Sequence, residues 1–466
     1  MKDSNGASAT PVATENQTAS CKISKPSNET KKLFDFQKGH PNYVPLSEMQ
    51  QVMGRMCSSL REEPDEGANS LLERSLNYLG SDRGQLPFLQ ELQAFLDRRT
   101  AHDILRSDET AIQSPPRSDS DSVLFITNGV SHGLDLLCAT HTREGDTVLV
   151  ERPTYFLASG IFKSHRLNVE GLPMTNDYQI DVVKLEQLLH DRHQETTISK
   201  IRMLYIIPIH QNPTGRCMHL AIKEKLADLS RRFGVLVVAD EVYHLLDWRN
   251  RHSGDRVVND VAEHERSARM VCFNPVPSTS DTGPSFPSQC ISVSSFTKIF
   301  APGVRCGWIE GPQSVISRLV QHGYIRSGGA CQPVIGALLY EALRSGVIDR
   351  TLDKLIDSYA RKCRLLCEVL LTEPRIRFYE PQGGYFIWIE LPVCSEDFLQ
   401  YCLDPSRDVQ VKFLPGHRCD VGADLNYVRP ALDRSARLCF AYLEAEELVT
   451  GAGHLISLLQ TFLETM

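Results

Sequence analysis

Along the chain, short apolar runs alternate with longer segments in which apolar residues recur every three or four positions. The runs are Val123-Leu124-Phe125-Ile126, Thr147-Val148-Leu149-Val150, Met203-Leu204-Tyr205-Ile206-Ile207, Val235-Leu236-Val237-Val238 and Cys290-Ile291-Ser292-Val293. Each is short and rich in branched residues, which predicts strands buried on both faces, as in a parallel sheet covered by helices. Between them, Ser131 to Thr140 and Leu220 to Phe233 read as helices, the second with Leu220, Ile222, Leu226, Leu229 and Phe233 apolar. From about Val334 long helical patterns give way to strand-like runs at Tyr385–Ile389 and Arg437–Phe440. That mixture predicts a second, smaller α+β domain.

The predicted class is therefore α/β: a mostly parallel central sheet with helices on both faces, plus the smaller α+β domain. Residues 1–30 are polar and nearly empty of large apolar side chains, and are expected to be a disordered tail. Structure is expected to begin at Leu33-Phe34-Asp35-Phe36, where aromatic and polar residues alternate. The expected division is an N-terminal segment, 31–75, contributing to the small domain, a large domain over 76–333, and the C-terminal small domain over 334–466. Ser107 to Ser122 and Arg249 to Ser288 are polar and carry Pro115-Pro116 and Pro275, Pro277, Pro284 and Pro287; both read as surface loops.

Composition narrows the classes. The 466 residues are 41% hydrophobic and 23% charged, which excludes wholesale disorder and fibrous repeats. Fifty Lys+Arg against 58 Asp+Glu leave a net charge of −8, which argues against a general nucleic-acid or anionic-membrane binder. The 14 Cys are scattered and form no C-x-x-C pair. They read as small buried hydrophobes in a reducing compartment, with Cys363 and Cys367 one helical turn apart. No apolar run reaches the ~20 residues of a membrane span, and the first residues lack an apolar leader. A cytoplasmic protein is expected, with no metal site.

In a parallel α/β sheet, ligands sit beyond the carboxyl ends of the strands, so the polar residues after each run are the candidates. Thr127-Asn128-Gly129-Val130-Ser131-His132-Gly133 follows the first run. A glycine turn opening a helix offers backbone N–H groups to a phosphate, although Ser131 also suits an ordinary cap. Asn212-Pro213-Thr214-Gly215 follows the third run, as an oxygen-binding Asn or simply a loop. Asp240-Glu241 with Tyr243 ends the fourth, where a carboxylate is either a helix cap or a buried partner. Ser295-Phe296-Thr297-Lys298 ends the fifth, with Arg305 seven positions on. A desolvated Lys near another cation has a lowered pKa and attacks carbonyls. Phosphate cradle, strand-end Asp and buried Lys are together the requirements of pyridoxal phosphate (PLP).

With Asn212–Gly215, Asp240-Glu241-Val242-Tyr243, Ser295–Lys298 plus Arg305, and Arg437-Leu438-Cys439-Phe440 in this order, the chain resembles a fold-type I PLP-dependent aminotransferase of class I/II. The resemblance is to the 2-aminoadipate, kynurenine and aromatic aminotransferase branch and runs from about Leu33 to the C-terminus. It implies that Lys298 forms the Schiff base and shuttles the proton, while Asp240 keeps the pyridine nitrogen protonated. It also implies that Asn212 and Tyr243 bind the cofactor's 3-oxygen and that Tyr155 stacks on the ring. Val130, Ser131, Ser295 and Arg305 match the phosphate site. Arg437 matches the arginine that grips the substrate α-carboxylate, and Gly39 and Tyr78 lie near the substrate. Tyr78 would come from the neighbouring subunit, implying a homodimer with shared active sites, amino acid and 2-oxo acid substrates, and neither nucleic acid nor membrane as partner.

Three features depart from the family pattern. Val130 stands where relatives carry a polar residue, so any contact there is through its backbone N–H. His132 reads as a helix-surface residue rather than a phosphate ligand. Asp82-Arg83 adds a charged pair after Tyr78, either a solvated loop or a reach towards a charged substrate tail. A PLP-dependent lyase or decarboxylase on the same scaffold is the alternative activity, since the motifs precede the step that separates these outcomes. A ligand-sensing regulator of this fold would need a winged helix-turn-helix ahead of Leu33, for which about 30 polar residues are too few.

Overall fold

The five apolar runs become strands of one sheet, in the computed structural model that describes residues 32–43, 45–58, 71–78, 82–105, 122–194, 199–249, 268–274, 289–329, 332–421 and 430–466. The predicted tail 1–30, nearly all of the predicted loop from Ser107, and most of the loop from Arg249 to Ser288 lie outside the described residues. After a first strand, β1 (Lys32–Asp35), come β2 (Ser122–Thr127), β3 (Thr147–Val150), β4 (Asn168–Gly171), β5 (Ile201–Ile206), β6 (Leu236–Asp240), β7 (Cys290–Ser295) and β8 (Gly307–Pro312). Strands β2 to β8 form a seven-stranded sheet in the order β2-β8-β7-β6-β5-β3-β4. All its pairings are parallel except those of β8, which is antiparallel to both β2 and β7.

Period-two alternation sorts the strand side chains into two cores. Val148, Val150, Met203, Tyr205, Val238, Ile291 and Val293 pack on one face with Leu134, Leu137, Phe162, Ile316 and Leu319. Those partners come from the helices Val130–His141, Ala158–Ser164 and Gln313–Val320. Leu149, Leu204, Ile206, Val237 and Ala239 pack on the other face with Leu185, Leu189, Leu226 and Leu229, from helices Val182–Gln194 and Leu220–Phe233. Helices thus cover both faces. The helix Leu220–Phe233 stops at Gly234, whose φ of 64° is the left-handed conformation that a glycine adopts at least cost, and the chain turns directly into β6.

Two strands of this sheet escaped the apolar pattern: β4 is a polar edge segment, Asn-Val-Glu-Gly, and β8 is bounded by Gly307 and Pro312. Strands β6 and β7 extend two residues beyond their apolar runs, to Asp240 and Ser295, and both end residues are buried. Part of the stretch read as a surface loop is also interior. Met270–Phe273 forms a 3₁₀ turn in which Met270 and Val271 are buried, and the preceding Arg269 ion-pairs with Glu310 of β8. A short apolar stretch between a charged segment and a proline-rich one gave no periodic signal.

The C-terminal part holds β9 (Arg377–Phe378), β10 (Phe386–Glu390), β11 (Val409–Lys412), β12 (Leu414–Pro415) and β13 (Ser435–Cys439). Four of them make an antiparallel sheet in the order β12-β13-β10-β9, while β11 pairs in parallel with β1. The helices Val347–Leu370 and Ala445–Glu464 pack beside these strands. Phe34 of β1 is 1% exposed, and a Cβ added at Gly451 of the last helix would stand 2.8 Å from its ring. The first strand is thereby sewn into the last part of the chain, and residues 36–40 leave it towards the carboxyl ends of the large sheet. Phe34→Ala is expected to cost about 3–5 kcal/mol, the usual range for emptying a close-packed aromatic site, read as a lowered denaturation midpoint in urea.

Candidate functional site

The carboxyl ends of β5, β6 and β7 carry Tyr205, Asp240 and Ser295, and the residues read from the sequence gather around them. Asp240 is 5% exposed and accepts a hydrogen bond from the Tyr205 hydroxyl at 2.8 Å on Oδ2. Its other oxygen, Oδ1, is buried with no hydrogen-bond partner. Burial pushes the Asp240 carboxyl up to about 6, against the opposing pull of the Tyr205 hydroxyl, the Val242 backbone N–H and the Lys298 charge. The reading of Asp240 as a helix cap does not apply, because the chain continues from β6 into a turn. An unmet, buried carboxylate oxygen is costly on its own and suits a cationic N–H donor.

Lys298 follows β7 in a turn. Its Nζ donates to the Gly39 carbonyl at 2.7 Å and lies 5.2 Å from the centre of the Tyr385 ring and 5.8 Å from that of Tyr243. Burial pushes its amine down to about 8; Arg437 and Arg305 add to that, while Cys439 and Asp240 oppose it. The Tyr385 hydroxyl donates to the Lys298 carbonyl at 2.8 Å and fixes the backbone at this point. Tyr243 is 3% exposed, and burial raises its phenol well above the ordinary value.

Arg437, on β13, reaches the same space. Its Nη1 donates to Asn212 Oδ1 at 2.8 Å, its Nη2 donates to the Gln37 carbonyl at 2.8 Å, and its Cζ lies 4.1 Å from the centre of the Phe386 ring. Nε is buried without a partner. Gly39 sits against this group: an added Cβ would be 3.1 Å from Phe386 and 3.6 Å from Arg437 Nη2. Tyr155 is half-buried, its phenol raised by burial and by the Asp240 charge, with Arg437 opposing. Arg152, just before it, forms a two-pronged ion pair with Asp420 at 2.5 and 2.6 Å.

The predicted phosphate cradle is present in outline. The helix Val130–His141 begins after Gly129, at φ 92°, with no side chain capping its first N–H groups. Ser131 is exposed in the first turn and is not the cap. Arg305 lies across this opening, since a Cβ at Gly129 would meet its Nη2 at 2.8 Å. Its Nη1 donates to the Pro302 carbonyl at 3.1 Å. A Cβ at Gly307 would lie 3.0 Å from both Gly129 Cα and Ser295 Cβ, so β7, β8 and the helix start converge. His132 is half-buried rather than on the surface, its Nδ1 accepting from the Asn128 N–H at 3.0 Å, which stiffens the turn.

Three residues singled out from the sequence stand apart. Tyr78 is 90% exposed, near Gly328, with no contact to the Lys298 group. Asp82 and Arg83 line a cleft of about 270 Å³ with Gln313, Ser317, Val320 and Gln321, none of which belongs to the Lys298 group. Sequence reading missed Tyr205, Tyr385 and Glu151. A lone tyrosine in an apolar buried strand was the available signal for Tyr205, because its hydroxyl needs a partner. Glu151 is 3% exposed, accepts from the Ile207 N–H at 2.8 Å and from Gln211 Nε2 at 3.3 Å, and is pushed by burial up to about 8.

Residues 88–455 match the family model described as "Aminotransferase class I and II". The chain belongs to the class I and II aminotransferases. It is 27% identical, over 90% of its length and 95% of the other's, to an uncharacterized protein of Saccharomyces cerevisiae. It is 26% identical to a 2-aminoadipate transaminase of Thermus thermophilus, over 71% of this chain and 74% of that one. The crystal structure of a kynurenine aminotransferase of Pyrococcus horikoshii superposes with a TM-score of 0.70 at 21% identity, covering 93% of this chain and 92% of that one. As a class I and II aminotransferase the protein moves the α-amino group of an amino acid to a 2-oxo acid, with pyridoxal phosphate as its cofactor. The unmet Asp240 oxygen, the uncapped helix start beside Arg305 and the depressed Lys298 amine fit that group chemically.

Because Lys298 is a nucleophile only when neutral, its labelling by trinitrobenzenesulfonate in apo-protein is expected to rise with pH through a midpoint near about 8. A midpoint near the ordinary lysine value would overturn the depressed amine. Glu151 has a folded pKa above its unfolded one, so its contribution to stability is present at acid pH and is lost as pH rises towards about 8. Glu151→Gln should gain on the wild type in melting temperature between pH 5 and 8, measured by calorimetry on both proteins.

Proposed function

We propose that Lys298 is the amine that joins the cofactor and later carries the substrate proton, and that the surrounding residues divide the remaining tasks as follows. Pyridoxal phosphate, when bound, supplies an aldehyde for the amino group and a ring that withdraws electrons from the substrate's Cα. Asp240, with Oδ1 unmet, accepts from the ring nitrogen and keeps it protonated; Tyr205 holds the carboxylate in orientation. Asn212 and Tyr243 hydrogen-bond the 3-oxygen, and Tyr155 covers the ring. The first N–H groups of the helix at Val130 and Ser131, with Ser295 and Arg305, hold the phosphate. Arg437 takes the substrate α-carboxylate on its planar fork, and Gly39 leaves room beside it.

In this reading Lys298 works in two protonation states. As the neutral amine it would hold the cofactor's aldehyde carbon and, once freed by the incoming amino group, take the Cα proton of the amino acid; as the ammonium it would give that proton up within the same half of the cycle, and the oxo-acid half would run the transfer in reverse. The depressed pKa serves that role, since an amine near 8 accepts and releases a proton close to neutrality. Burial by Tyr243, Tyr385 and the Gln37–Gly39 segment keeps water from the same space. The single observation that carries the reading is the buried, unpartnered Asp240 Oδ1 in the same pocket as a desolvated lysine.

The reading includes a cytoplasmic homodimer in which Tyr78 serves the partner's site, with a large domain over 76–333 and a small domain formed by 31–75 and 334–466. The exposure of Tyr78 and the pairing of β1 with β11 support it, as do the buried free thiols of Cys138, Cys217, Cys290, Cys363 and Cys439. No helix among the described residues is long and apolar enough to cross a membrane. The aminotransferase relatives favour group transfer over the lyase outcome.

Lys298→Ala is expected to lose the visible absorption of the bound cofactor and essentially all turnover, while phosphate-anchored cofactor still co-purifies. Persistent turnover would remove Lys298 from its role. Arg437→Gln should raise the KM for donor and acceptor by about a hundredfold, the worth of a bidentate charged pair.

A further inference from the structure

Outside the groups used so far, a buried histidine beside the site, His210, is held between Cys217 and Asp247. His210 is 1% exposed and lies two residues before Asn212. Its Nδ1 is 3.5 Å from Cys217 Sγ and its Nε2 is 3.2 Å from Asp247 Oδ2. Its backbone N–H also donates to Cys217 Sγ at 3.4 Å. Arg249 ion-pairs with the same Asp247 carboxylate. The backbone of His210 has φ 49°, in the left-handed region, where a side chain costs about 1 kcal/mol or more and persists only if its surroundings over-determine it.

Three segments meet on this one ring. The first is the Asn212 loop, closed by Gln211 N–H to the Arg216 carbonyl at 2.8 Å and Met218 N–H to the Pro208 carbonyl at 2.8 Å. The second is the turn after β6, which carries Tyr243 and ends in Asp247. The third leads into β10: a Cβ at Gly383 would overlap the imidazole, and one at Gly384 would stand 2.8 Å from His210 Cβ. Gly384 N–H donates to the Leu246 carbonyl at 2.9 Å, tying the third segment to the second. Two residues beyond Gly384 is Phe386, whose ring lies under the Arg437 guanidinium, and Asn212 accepts from that guanidinium. The two side chains that hold Arg437 from below and from the side therefore both radiate from His210.

We propose that His210, clamped between Cys217 and Asp247, is a positioning residue that sets the orientation of Arg437 for the substrate carboxylate. It touches neither substrate nor cofactor; it acts through Asn212 and Phe386. The inference rests on the reading of Arg437 as the carboxylate-binding residue. The ion-pair character of the cluster supports it. Burial alone would lower the His210 pKa, but Cys217 and Asp247 outweigh burial and raise it to about 9, while the same ring lowers the Cys217 thiol against burial. An imidazole held by a thiol on one nitrogen and a carboxylate on the other is fixed in rotation as well as in place.

A positioning role has a distinct kinetic signature. Arg437 grips the carboxylate in ground and transition states alike, so disturbing its orientation removes uniform binding and raises KM with little change in kcat. His210→Phe fills the same slot without hydrogen bonds, and Asp247→Ala removes one side of the clamp should the first variant fail to fold. Both holoenzymes are expected to show KM for the amino donor, KM for the oxo acid, and Ki for 3-phenylpropanoate (a carboxylate with nothing to transfer) raised together by about tenfold. kcat should stay within about threefold, and the cofactor's visible band and dissociation constant should be unchanged. Cys217→Ser keeps a hydrogen-bonding group and should remain within about twofold of wild type, whereas Cys217→Val should follow Asp247→Ala. Unchanged KM and Ki, or a fall in kcat and cofactor affinity with KM unmoved, would overturn the proposal. Arg437→Gln separates the two levels: if it leaves Ki unchanged, the carboxylate reading fails first. If it raises Ki while His210→Phe and Asp247→Ala do not, only the clamp is wrong.

Discussion

The structure depends on one electrostatic constraint: an aspartate and a lysine buried in the same pocket without pairing to each other. Asp240 keeps one oxygen unmet, and Lys298 hydrogen-bonds a backbone carbonyl instead. Each is desolvated, and each is driven towards its neutral form, the acid upward and the amine downward. Two ionisable groups left incompletely satisfied in a well-packed interior are a standing cost to folding that a ligand with a cationic ring nitrogen and an aldehyde relieves. The parallel sheet makes the arrangement possible, because the carboxyl ends of β5, β6 and β7 put Tyr205, Asp240 and Ser295 on a common edge.

Around that pocket, the first strand matters as much as the large sheet. Strand β1 is fixed by β11 and by the last helix, and it delivers Gln37 and Gly39 to Arg437 and Lys298. Arg437 in turn arrives from β13 and rests on Phe386 of β10, its neighbour in the same antiparallel sheet. The Arg437 side of the pocket is thus assembled from the two ends of the chain, and the Asp240 and Lys298 side from its middle. The His210 clamp lies where the two meet, joined to Arg437 through Asn212 and through the segment that leads to Phe386.

The positions of the strands and helices were legible because both faces of the sheet are covered: runs such as Thr147–Val150 have no exposed face to soften the signal. Strands β4 and β8 were not, since a polar edge segment and a strand containing Gly307, Glu310 and Gly311 carry no apolar run. Lys298, Asp240, Asn212 and Arg437 were readable from motif order together with strand ends, and the structure brings all four to one space. Ser131 as a cap and His132 as a surface residue were misplaced, because a helix boundary shifted by one residue changes which side chain meets the first turn.

What the sequence determined by itself is the periodicity, hence the layered α/β architecture, and the chemical inventory at the strand ends. Those are local properties of residue type and spacing. Only the tertiary structure decided that Tyr205 orients Asp240, that Tyr385 pins the Lys298 carbonyl, and that His210 joins Cys217 to Asp247. Each of these contacts links residues far apart in the chain, and their partners are selected by strand register and burial, which no local pattern records.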